Sequence, residues 1–237
     1  MTKLANKLST LLKQNNKTMD TKLDKTDVVI LLDRSGSMAA CKSAHEEGIK
    51  GLITEQKKDD GIVNFTLIQF DGFDPCEVVY SRVPINTVGD IVLEPRGSTP
   101  LLDAIGLCSN HVSSAIDNNE VDQVLVIIVT DGQENTSKEY SKSTIQTLIA
   151  DKEKGNWTFL YLGANVDAFA EARGLGVAKG RAAGYKVNDN NIKAVYRSIS
   201  SNTSSARQQL RDGMSMQDIA QSGTYSFTSD QMDAMND

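Results

Sequence analysis

The chain has 237 residues, of which 39% are hydrophobic and 24% charged, and its formal net charge is −6. That composition belongs to a globular protein able to bury a sizeable core. The acidic balance argues against a broad nucleic-acid footprint, and no apolar run reaches membrane-spanning length.

Residues 1–26 stand apart from the rest of the chain. Leu4, Leu8, Leu11 and Leu12 recur at helical spacing among Lys3, Lys7, Lys13 and Lys17, and residues 1–19 carry no acid. This predicts a short basic amphipathic helix, packed on the domain's own surface or frayed as a tail, with contact to a membrane surface or a partner as the alternative. It has no continuous apolar stretch of the kind a signal peptide needs.

The run Val28-Val29-Ile30-Leu31-Leu32 is too continuous for a half-exposed strand and predicts a central parallel one. It ends in Asp33-Arg34-Ser35-Gly36-Ser37-Met38, one carboxylate and two hydroxyls each two residues apart. Residues 38–58 have helical composition. Residues 62–70 and 77–85 predict two strands, joined through Asp71-Gly72-Phe73-Asp74-Pro75 as an antiparallel hairpin. The loop Arg96-Gly97-Ser98-Thr99-Pro100 leads into a helix running to about residue 118, with proline in its first turn. A second buried strand, 121–130, ends at Asp131. Then come a helix over 141–154, a strand over 157–162 and a helix over 166–173. The glycine-rich stretch 174–187 fits a last edge strand. Residues 190–213 predict a helix, and 214–237 a polar, partly mobile tail.

Strands alternating with helices predict an α/β fold, a doubly wound, mostly parallel sheet flanked by helices with one antiparallel edge strand. The chain divides into an extension (1–26), a central domain (27–187) and a C-terminal helix with its tail (188–237). Cys41, Cys76 and Cys108 form no C-x-x-C pair, and a chain of this size needs no disulfide staple. Reduced thiols and a cytoplasmic location are expected.

In doubly wound sheets ligands bind beyond the carboxyl ends of the strands, where the strand order changes direction. Asp33 and Asp131 both stand at such ends. If their strands are neighbours, the two carboxylates converge, with the Ser35, Ser37 and Thr99 hydroxyls in adjoining loops. Hard oxygen donors of this kind suit Mg²⁺, and Gly36 lets the backbone turn between the serines. Taken singly, each of these stretches reads equally well as a helix cap or a turn. Taken jointly, they point to a metal site with an open coordination position.

At these residues the chain resembles a known family. DRSGSM resembles the D-x-S-x-S motif of von Willebrand factor A (VWA) domains, Gly-Ser-Thr-Pro-Leu at 97–101 their threonine loop, and Thr-Asp-Gly-Gln-Glu-Asn at 130–135 their second aspartate loop. The resemblance covers about residues 26–175. It implies a complete metal-ion-dependent adhesion site (MIDAS) formed by Asp33, Ser35, Ser37, Thr99 and Asp131. The expected ion is Mg²⁺, with Mn²⁺ or Ca²⁺ as alternatives. The stretch WTFLYLGANVDAFA at 157–170 is similar to a bacterial and phage-type intracellular subgroup.

The resemblance implies a non-enzymatic binding module whose ion takes an Asp or Glu of a protein partner. Arg34, Met38, Phe73, Arg96 and Glu134 are the expected rim of that surface. Alternatives are a structural component of a larger assembly and a metal-assisted hydrolase. The sequence offers the hydrolase little. An aspartyl-nucleophile phosphatase needs an acid where Ser35 stands, and neither serine sits in a G-x-S-x-G elbow. His45 and His111, the only histidines, both fall in predicted helices outside the site loops.

Overall fold

A computed structural model describes residues 23–116, 120–164 and 167–237. The predicted N-terminal amphipathic helix lies outside the described residues. The apolar run predicted as a central strand is β1 (Lys25–Asp33), buried at every position after Lys25. The chain continues through a 3₁₀ turn (Gly36–Ala40) into α1 (Lys42–Gln56), and then β2 (Ile62–Phe70) and β3 (Glu77–Pro84). Next come α2 (Leu101–Ala115), β4 (Gln123–Thr130), α3 (Lys142–Glu153), β5 (Trp157–Ala164), α4 (Ala168–Leu175) and β6 (Ala182–Tyr185). The long helix α5 (Asp189–Arg211) and the short helices α6 (Met216–Ser222) and α7 (Ser229–Ala234) close the chain.

The six strands form one sheet in the order β3-β2-β1-β4-β5-β6. Every pairing is parallel except β2 with β3, the predicted hairpin. From β1 the chain first builds outward through β2 and β3, then returns to place β4 on the other side of β1. The change of direction therefore falls between β1 and β4, where the register sets Leu32 opposite Val129. Asp33 and Thr130 come next at the same edge.

Successive side chains of a strand face opposite sides of the sheet, so each central strand serves two cores. Val28, Ile30 and Leu32 of β1 face one side with Leu125, Ile127 and Val129 of β4, under α1 and α5. Val29 and Leu31 face the other with Val124, Val126 and Ile128, under α2, α3 and α4. This double burial is why these strands read as unbroken apolar runs. Among the described residues no helix is long and apolar enough to cross a membrane.

Residues 214–237, expected as a mobile tail, are instead folded onto the domain. Ile219, Tyr225 and Met235 are buried in the core beneath α5. Two capping boxes fix the short helices: the Ser215 and Thr228 side chains accept from Asp218 N–H and Gln231 N–H, and those residues' side chains accept in return. The Tyr225 hydroxyl donates to Gln123 Oε1 at 2.8 Å, tying the segment to the start of β4.

Candidate metal centre

Asp33 is fully buried at the end of β1. Its Oδ1 accepts the Ser35 N–H at 2.6 Å and its Oδ2 the Thr130 hydroxyl at 2.6 Å. The carboxylate is thereby fixed from its own loop and from β4. Ser35 and Ser37 lie around the 3₁₀ turn, with their hydroxyl oxygens 3.1 Å apart. The Ser37 hydroxyl donates to Asp131 Oδ1 at 2.6 Å, across 94 residues of sequence.

The Thr99 loop closes the third side. Gly36 N–H donates to Gly97 O at 3.2 Å, and Arg96 N–H to Arg34 O at 2.8 Å. Gly97 adopts φ +70°, a left-handed backbone that favours glycine. Thr99 N–H donates to Asn135 Oδ1 and Asn135 N–H to Thr99 O, so the threonine and second aspartate loops hold each other. A β-carbon on Gly132 would lie 3.3 Å from Thr99 Oγ1 and 4.0 Å from Ser37 Oγ, so both hydroxyls border the space beside that glycine. The structure thus brings all five sequence-predicted residues into one crevice between β1 and β4.

Burial pushes the Asp33 carboxyl up to about 6. Hydrogen bonds from Thr130 and Ser35 partly offset that rise, and the charge of Asp131 adds to it. Burial also raises Asp131, against the hydrogen bond from Ser37. Two neighbouring carboxylates in a poorly solvated crevice are stabilised in their charged forms by a cation. Among the described residues no three His, Cys, Asp or Glu side chains gather so as to hold a metal. A cation here would therefore need the hydroxyls as well as the two carboxylates. Hard, mostly neutral oxygen donors fit a hard divalent ion.

The expected rim needs correction. Met38 is fully buried in the core between the sheet and α1. Arg34 is also buried, its guanidinium held by Asp71 at 2.5 Å and Glu77 at 2.5 Å. Glu134 turns inward: its carboxylate accepts from the N–H groups of Leu102, Thr136 and Ser137, capping the first turn of α2. Phe73 and Arg96 do lie at the surface of this edge.

No family model matches the chain, and no curated protein does. Solved structures do. Proximal thread matrix protein 1 from the mussel byssus, with a zinc-occupied MIDAS motif, superposes over 85% of this chain with a TM-score of 0.57 at 17% identity. The von Willebrand factor type A structure from Catenulispora acidiphila covers 77% with a TM-score of 0.55 at 16% identity. The pilus adhesin SpaC from Lactobacillus rhamnosus GG covers 78% with a TM-score of 0.57 at 12% identity.

The fold is that of a VWA domain. The chain spans 52%, 43% and 30% of the lengths of those three structures. The five residues above lie in the loops at the β1–β4 edge of this fold. Two supports of that edge are not evident from sequence. Thr130 reads as a strand end and the first residue of the 130–135 motif, with no sign there that its hydroxyl holds Asp33. Asp103, in the first turn of α2, accepts the N–H groups of Lys138, Glu139 and Tyr140 and anchors the far end of the second aspartate loop. Nothing in its local sequence separates it from an ordinary first-turn acid.

Proposed function

We propose that this chain is a metal-dependent protein-binding module. Asp33, Ser35, Ser37, Thr99 and Asp131 would hold one divalent cation, Mg²⁺ first, with Mn²⁺ or Ca²⁺ as alternatives. The observation that carries the reading is the convergence of two strand-end carboxylates and three hydroxyls from three separate loops. When bound, the ion supplies an electrophilic open position suited to an Asp or Glu side chain of a protein partner.

This chain's residues do the rest. Asp33 and Asp131 carry the compensating charge, the hydroxyls orient it, and Asn135, Asp103 and Glu134 hold the loops in register. The reading is one of binding without turnover. His45 of α1 is engaged by two tyrosines, and His111 of α2 pairs with Ser81, so neither is placed as a general base. The free thiols of Cys41, Cys76 and Cys108 support a cytoplasmic setting. The 157–170 stretch supports the bacterial and phage-type intracellular subgroup.

Titration calorimetry with Mg²⁺ tests the proposal. The wild type should bind one ion and Asp33→Ala none, while both keep the same far-UV spectrum. Equal Mg²⁺ affinity in the two proteins sinks the site. Mg²⁺-dependent hydrolysis of phosphoesters or peptides that disappears in Asp131→Ala would replace binding with catalysis.

A further inference from the structure

Phe73 is the most exposed large apolar side chain among the described residues, at 77%. A single exposed ring on a surface needs no explanation by itself. This one is held in place and sits beside the candidate centre. Asp71 Oδ1 accepts the N–H groups of Phe73 at 2.6 Å and Asp74 at 3.1 Å, and Asp71 N–H donates to Asp74 O at 2.9 Å. Asp71 Oδ2 is gripped in turn by Arg34 and by Arg96. The backbone carrying the ring is therefore fixed before anything binds.

The loop also packs tightly on the threonine loop. A β-carbon on Gly97 would lie 3.1 Å from the Phe73 ring, and one on Gly72 2.1 Å from Ser98 Oγ. The Arg96 guanidinium stands 5.7 Å from the ring centroid, a cation–π contact that supports the ring. Phe73 thus rests on Gly97, whose carbonyl is bonded to Gly36 between the two site serines and which precedes Thr99 by two residues. Two residues of extended chain span about 7 Å. Rigid aromatic side chains that lose little freedom on contact are the usual anchors of protein interfaces.

We propose that Phe73 is the specificity element of this surface. It receives an apolar side chain one or two residues from the carboxylate that the centre takes. This rests on the metal-bridging reading above and names the partner: an exposed acidic residue with an apolar neighbour.

The test is selection of a random peptide library on the immobilised full chain, in Mg²⁺ and in EDTA. The wild type should enrich, in Mg²⁺ only, peptides with Asp or Glu flanked within two positions by an aliphatic or aromatic residue. Phe73→Ala should keep the acid and its Mg²⁺ dependence and lose the apolar preference. It should bind the selected peptide about 10- to 30-fold more weakly, with an unchanged melting temperature and unchanged Mg²⁺ affinity. Enrichment of an acid with no apolar neighbour, or an apolar preference that survives in Phe73→Ala, overturns this inference and leaves the metal reading standing. No Mg²⁺-dependent enrichment of acids overturns both.

Discussion

Thr130 ends β4, and its hydroxyl reaches across to Asp33 Oδ2 at 2.6 Å. Thr130→Val removes that donor and leaves a buried carboxylate oxygen unsatisfied, a loss of about 1–3 kcal/mol. Because the bond also orients a candidate ligand, Mg²⁺ affinity should fall about 10- to 100-fold. Thr130→Ser should keep both. Urea denaturation and calorimetry of the two variants read the two effects separately, and wild-type Mg²⁺ affinity in Thr130→Val would remove Thr130 from the site. His45 gives a pH-dependent counterpart. It is fully buried, with Nδ1 2.9 Å from the Tyr196 hydroxyl and Nε2 3.3 Å from that of Tyr185. Burial lowers it from 6.5 to about 4. Between those values the unfolded chain binds a proton that the folded protein refuses. Its contribution is therefore complete above pH 6.5 and is lost as the pH falls towards 4. The wild type should lose about 2 kcal/mol between pH 7 and 4.5 through this group, and His45→Gln should lack that part of the slope. Asp33, raised to about 6, acts with the opposite sign over pH 3.8–6. The difference between wild type and variant, measured in urea at both pH values, isolates the histidine.

At the scale of elements, α1 carries two glycines with opposite roles. A β-carbon at Gly48 would lie 2.1 Å from Cδ2 of Tyr196, whereas one at Gly51 meets nothing within 4 Å. Gly48 is thus what lets α5 approach α1 at Tyr196. Gly48→Ala should destabilise the protein by about 1–3 kcal/mol through overpacking. Gly51→Ala should stabilise it by up to about 1 kcal/mol through helix propensity. Denaturation midpoints of the two variants should move in opposite directions, and a shared direction would contradict the close approach. Other elements mark what the sequence could and could not disclose. Strands buried on both faces announce themselves as apolar runs, so β1, β4 and β5 were legible, and the hairpin emerged from its turn residues. The five candidate site residues were legible because strand-end acids and hydroxyls sit at fixed offsets. Tyr225, Phe227 and Met235 were not, since scattered apolar residues in a polar segment show no period. The capping-box spacings at Ser215 and Thr228 are the readable signal there. Arg34 is hard to place from sequence for another reason. A charge just after a strand looks exposed until Asp71 and Glu77, from β2's end and β3, are known to neutralise it.

Across the whole molecule, one fully buried cation joins the ends of the fold. Arg207 of α5 donates to Asp24 Oδ2 at 2.9 Å, to Gln56 O and Oε1, and to Asp60 O at 2.6 Å. Arg211 adds a bond to Asp24 Oδ1 at 2.7 Å. Arg207→Ala leaves Asp24 with one cation at a buried position and should cost about 3–5 kcal/mol. The clamp sits at the opposite end of β1 from Asp33, nine residues or about 30 Å away. Mg²⁺ affinity of the folded variant should therefore match the wild type, and a weakened affinity would mean that the two ends of the sheet communicate. The clamp also dictates an order of events during synthesis. Asp24 leaves the ribosome 183 residues before Arg207. At roughly 5–20 residues per second this is an interval of about 10–40 s. Throughout it the first strand can find β2, and later β4, but not the guanidinium that neutralises its base. The nascent chain carries that acid without its cation until α5 has been made, so the base of β1 is completed only when that helix docks.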